Sequence, residues 1–175
     1  MISTDYVRLM ASYTAWQNRS LYDAAATLGD AERRADRGAF FGSIEATLNH
    51  VLWGDQIWLH RLAGTPEPTS PDIPGSVTQF ADFTALTAAR KATDEAMAAW
   101  AARVTPADLE GDLAWFSGAA QRNIVRPRWA LVIQLFNHGT HHRGQVHAML
   151  TAAGARPDDT DVPFMPAPWY EWPEP

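Results

Sequence analysis

Four long stretches, residues 4–28, 43–64, 77–104 and 128–153, carry apolar side chains at helical spacing and end on residues that stop helices. Ser3 or Thr4 can cap the first, and Gly29 is placed to stop it. The second starts at Ser43, repeats Ile44, Leu48, Val51, Trp58, Leu59 and Leu62, and stops at Gly64 with Pro66 just beyond. The third is rich in alanine. The fourth lies between Pro127 and Gly154, the normal asymmetry of a helix. Four long helices in one chain of 175 residues most simply make an all-α protein: an antiparallel four-helix bundle occupying a single domain, residues 1–175. Between the second and third stretches, residues 64–76 hold four Pro and two Gly and read as a loop. The irregular segment before the last helix, residues 105–127, contains LEGDLAWFSGAAQRNIV, which fits a short hairpin around Ser117-Gly118. The C-terminal tail from Ala155 to Pro175 is Pro/Trp-rich. It is no long helix, and its aromatics imply that it packs on the body.

Charge and composition narrow the function. The formal net charge is −6 and no Lys/Arg block exists, which argues against nucleic-acid binding and against a peripheral membrane helix. No run approaches a membrane span, and no basic segment followed by an apolar run opens the chain, so a cytoplasmic protein is expected. Cysteine is absent. Disulfides, thiolate metal sites and cysteine nucleophiles are therefore excluded together, and any metal must sit on His, carboxylate or backbone oxygen. Eight Trp point to a large-residue core or a lined cavity.

The informative motif is Asn137-His138-Gly139-Thr140-His141-His142-Arg143-Gly144-Gln145. His138 and His142 lie about 40° apart on one helical face, so both imidazoles can address one ion. The pair resembles the zincin motif without its glutamate, because Gly139 follows His138. Spacing leaves two readings open: metal ligands, or hydrogen-bonded core histidines. A third candidate is His50, aligned with Ala46, Trp53 and Ile57 on a helix apolar nearly all round. It gains meaning only if it meets the pair. Three imidazoles would leave a further position open, as catalytic metal sites do, and would suit Zn, Ni, Co or Fe. His141 is the rival ligand and is read as supporting or surface-exposed. His147, about 180° from His138, should not reach the ion. His60 is read as a surface residue near a helix C-terminus.

These residues together resemble the DinB family, within the wider DinB/YfiT-like group. The resemblance is carried by His142-Arg143-Gly144-Gln145 with His138 ahead of it, by LNHVLWGDQIWLHRLAG around His50, by YTAWQN at Tyr13 to Asn18, and by TDVPFM from Thr160 to Met165. It implies a four-helix bundle with one divalent ion per chain, commonly nickel or zinc, on His50, His138 and His142. It also implies homodimers, and relatives that include thiol-dependent S-transferases and a thiol-dependent isomerase.

Two function classes follow. The first is a metal-dependent enzyme in which a low-molecular-weight thiol, or water in a hydrolase, takes the open position. No carboxylate beside the pair is an evident general base, and Asp55 lies about 140° from His50 on its helix, so transfer is preferred over hydrolysis. The second is a non-enzymatic metal-binding or stress-response protein in which the ion fastens two helices. Arg143 and Gln145 support the site in the family-based reading. Otherwise Arg143 is a solvated charge and Gln145 a buried hydrogen-bonder.

Overall fold

The computed structural model describes residues 2–171. The elements in order are α1 (Thr4–Ala26), α2 (Asp30–Arg34), α3 (Ile44–Ala63), α4 (Ile73–Ser76), α5 (Phe83–Arg103), β1 (Asp112–Ser117), β2 (Arg122–Pro127) and α6 (Arg128–Ala152). Short 3-10 turns lie at Pro106–Leu109 and Val162–Phe164. Ser3, Ser43 and Asp82 cap α1, α3 and α5, each accepting a backbone N–H of the first turn. Gly64 ends α3 in the left-handed conformation, with φ of 70°.

Three expectations need correction. The fold is not purely helical: residues 112–127 form an antiparallel two-stranded sheet, with Asp112 opposite Pro127 and Ser117 opposite Arg122. The third long helix begins at Phe83 rather than residue 77. Asn49 holds the backbone of Phe80 through both its amide groups, at 2.8 and 3.1 Å, and Asp82 then caps α5. The helix directions also depart from a strictly antiparallel bundle.

Those directions follow from the core. One apolar cluster joins the end of α1 (Leu21 to Ala25), the start of α3 (Ile44 to Leu52), Leu86 of α5 and the end of α6 (Val146 to Leu150). The other joins Val7 and Ala11 of α1, Leu59 of α3, Met97 to Ala101 of α5 and Val132 to Phe136 of α6. Helices α1 and α6 therefore run one way, and α3 and α5 the other. Connecting α3 to α5 in the same direction requires a return along the bundle. Residues 64–82 are that crossover strap, with α4 inside it. The four long helices pack in a ring, α3 on α5 and α6, and α1 on α5 and α6.

Between the two apolar clusters lies a polar layer. It holds Thr14 and Asn18 of α1, Asp55 of α3, Arg90 of α5 and His142 and Arg143 of α6, all buried, with half-buried Asp94 and His138 beside them. Within it Arg90 pairs with Asp55 at 2.7 Å and with Asp94 at 2.8 Å, and Asn18 donates to Asp94 at 2.8 Å. The tail packs on α1 as expected. Tyr13 donates to the Thr160 carbonyl, Gln17 to that of Asp159, and Met165 is buried against Tyr13 and Trp16. Trp172 of the tail lies outside the described residues. Among those described, no helix is long and apolar enough to cross a membrane.

Candidate metal centre

The polar layer brings His50 of α3 against His138 and His142 of α6. One ligand nitrogen from each lies within 4.8 Å of those of the other two. The ring centroids form a near-regular triangle: 5.1 Å for His50–His138, 4.9 Å for His50–His142 and 4.7 Å for His138–His142. His50 Nε2 and His138 Nε2 are 3.2 Å apart. A tetrahedral ion with metal–nitrogen bonds near 2.0–2.1 Å separates two ligand nitrogens by about 3.3 Å. The histidine cluster therefore fits a divalent ion without large movement.

Proton positions favour the same use. Ser76, fully buried in the strap, donates its hydroxyl hydrogen to the Ile73 carbonyl at 2.6 Å. That oxygen can only accept from His50 Nδ1–H, 2.8 Å away, so the lone pair of His50 is on Nε2, facing the other imidazoles. His142 Nδ1–H donates to Gln145 Oε1 at 2.8 Å, leaving Nε2 as its free acceptor. Gln145 is oriented in turn by His141, whose Nε2 accepts from the amide at 3.4 Å. Such outer partners fix the tautomer and ring plane of a metal ligand. Ser76→Ala is expected to weaken metal binding about 10–100-fold with helical content retained, measured by competition with a chelating dye.

His138 is placed by contact instead. A Cβ on Gly54 would lie 2.5 Å from the His138 ring, so only glycine lets the imidazole rest against α3. His138 Nδ1 is buried without a hydrogen-bond partner, a cost that points to a use for the ring. Phe41 covers His50 at 4.0 Å between centroids and approaches His142 at 5.4 Å, while Trp53 flanks His50 at 5.8 Å.

All three imidazoles are neutral near pH 7. Burial pushes His50 down to about 3, helped by the neighbouring His138 and His142. Burial likewise takes His138 to about 4, with His142 adding and Asp55 opposing. His142 is lowered by burial against the raising effect of Gln145. The unfolded chain, with histidines near 6.5, binds more protons than the folded one below that pH. The stability these histidines contribute to the metal-free protein is therefore complete above about pH 6.5 and is lost progressively as pH falls toward 4 and 3, opposed in part by Asp94, which burial raises to about 6. Melting curves across that range should show a steady decline, less steep in His50→Ala.

The remaining candidates fall elsewhere. His141 is exposed and outside the trio. His147 lines a groove against α1. His60, half-buried, donates to the Thr65 carbonyl and faces Glu67. Asp55 is buried in its pair with Arg90. Arg143 is buried as well, its Nη2 donating to Thr140, which removes the reading of a solvated charge. Sequence reasoning missed Ser76, Phe41 and the role of Gly54. Ser76 stands 26 residues from His50 with no motif to join them.

Helices crossing around a largely buried three-histidine cluster define a helical protein with a site that could hold a metal ion. The chain belongs to the DinB family, whose family model matches residues 1–173. No curated protein and no solved structure matches it.

Proposed function

We propose that the chain is a metal-dependent enzyme of the DinB four-helix type, holding one nickel or zinc ion on His50, His138 and His142 and catalysing thiol-dependent S-transfer. The observation that carries this reading is the convergence of three neutral imidazoles, with Nε2 kept as the free acceptor on His50 and His142, which leaves a coordination position unfilled by protein. The ion would supply Lewis acidity, lowering the pKa of a thiol that reaches it. The chain has no cysteine, so the thiol comes with a low-molecular-weight cosubstrate. In the reaction class proposed, the thiol gives up its proton, its sulfur bonds to an electrophilic carbon, and the leaving group departs with the bonding pair and takes up a proton.

The chain's own residues hold and screen this centre. Ser76 and Gln145 retain protons on the Nδ1 atoms of His50 and His142, and Phe41 and Trp53 limit water at His50. Transfer is preferred over hydrolysis because Asp55, five residues along α3 from His50, is committed to Arg90 and unavailable as a base. Homodimers and a cytoplasmic setting complete the reading. The test is a cobalt-substituted sample titrated with cysteine, glutathione and 2-mercaptoethanol. A sulfur-to-metal charge-transfer band with one of them supports S-transfer. No spectral change with any of them contradicts it and leaves a metal-dependent hydrolase or a metal-fastened, non-enzymatic stress-response protein.

A further inference from the structure

His50 and His142 each keep a proton on Nδ1 through a side-chain acceptor, Ser76 Oγ and Gln145 Oε1, both at 2.8 Å. His138 is held differently. With its Nδ1–H on Ser76, His50 presents only a lone pair at Nε2, and His138 Nε2 stands 3.2 Å from it. Two lone pairs facing each other at that distance would repel, so His138 carries its proton on Nε2 and donates it to His50. The Nδ1 of His138 is then a buried acceptor that meets no donor. A ligand imidazole needs the reverse: a lone pair on the metal-facing nitrogen and the proton on the other, donated to an outer partner. Of the three histidines, His138 alone must exchange one tautomer for the other to bind an ion through Nε2.

Asp55 is the group placed to favour that exchange. It is 1% exposed, and Arg90 holds its Oδ2 at 2.7 Å. Its Oδ1 faces α6: a Cβ on Gly139, the residue after His138, would lie 3.7 Å from it. Conversely, a Cβ on Gly54, the residue before Asp55, would lie 2.8 Å from His138 Nδ1. The two side chains thus cross where α3 meets α6, each against the residue beside the other. Burial, His142, His141 and Arg143 disfavour positive charge on the His138 ring, and Asp55 favours it. In the interior such a charge acts with little screening.

We propose that Asp55 is a positioning residue for His138, its carboxylate stabilising the Nδ1–H tautomer that frees Nε2 for a metal ion. The exchange leaves the ring neutral: one proton passes from Nε2 to water, and water returns one to Nδ1. The inference rests on the three-histidine metal reading and deepens it, adding Asp55 for His138 to Ser76 for His50 and Gln145 for His142.

Nitrogen-15 NMR of the full-length, histidine-labelled protein at pH 7 reads the tautomer directly. The proton of His138 should sit on Nε2 in metal-free protein and on Nδ1 after zinc is added. Competition with a chelating dye then measures zinc affinity. Asp55→Asn/Arg90→Gln removes both charges of the buried pair together, which spares the fold the cost of stranding one of them. It should bind zinc about 10–100-fold more weakly than wild type. Arg90→Lys, which keeps both charges, should bind as wild type does. A purely structural role for Asp55 would make zinc affinity follow melting temperature across these variants. A His138 proton on Nδ1 before zinc is added, a proton on Nε2 after it, or wild-type affinity in the double variant would each overturn the proposal. Wild-type protein that takes up no zinc would overturn the metal reading and this inference together, whereas equal uptake by wild type and double variant overturns this inference alone.

Discussion

Arg90→Ala is expected to destabilise the protein by about 3–5 kcal/mol. The side chains of Arg90 and Asp55 are 3% and 2% exposed and meet at 2.7 Å. Removing the guanidinium strands a carboxylate in the interior and also releases Asp94, which burial already pushes up to about 6 while Arg90 pulls it back. Both acids would then take up protons or admit water, at a cost the native pairing avoids. At roughly 2–4 °C per kcal/mol for a chain of this size, the melting temperature should fall by about 6–20 °C. Calorimetry of the single variant and of Asp55→Asn/Arg90→Gln checks the cause. The double variant should recover part of the loss, because it removes the charges together. A fall no larger in Arg90→Ala than in an exposed control such as Lys91→Ala would contradict the assignment of this pair as the electrostatic centre of the polar layer.

The second large effect is on the metal. His50→Ala, His138→Ala and His142→Ala should each weaken binding by roughly 10²–10³-fold, since a site worth about 10–16 kcal/mol rests on only three protein ligands. His141→Ala should weaken it only moderately, by freeing Gln145, and His147→Ala should leave it intact. Added metal should raise the melting temperature of the wild type but not of the three ligand variants, since the ion binds only the folded state. Retention of metal by His142→Ala together with its loss in His141→Ala would reverse the assignment on α6. Retention of both metal and melting shift in His50→Ala would remove the link between helices.

Much of this was legible in the sequence, and the parts that were not share a physical reason. Helical periodicity and capping residues placed α1, α3 and α6 to within a few residues, and the Ser117-Gly118 turn signal marked the hairpin. Periodicity reports which face of a helix is apolar. It does not report direction, so the parallel run of α3 with α5, and the strap that it requires, stayed hidden. The start of α5 was misplaced because a side chain 31 residues earlier, Asn49, holds the Phe80 backbone out of the helix. The pair His138 and His142 was visible because its partners are one turn apart. That His50 completes the cluster rested on the family resemblance, since nothing local separates it from a core histidine. Ser76 was invisible, because a lone serine in a Pro-rich loop carries no periodic or motif signal.

The central claim is the three-histidine metal site, and metal analysis of protein purified without a polyhistidine tag tests it most directly. Elemental analysis against protein concentration should give close to one divalent ion per chain, nickel or zinc, lost on treatment with a strong chelator and restored by titration. Protein that emerges metal-free from gentle purification and takes up no divalent ion on titration would contradict it.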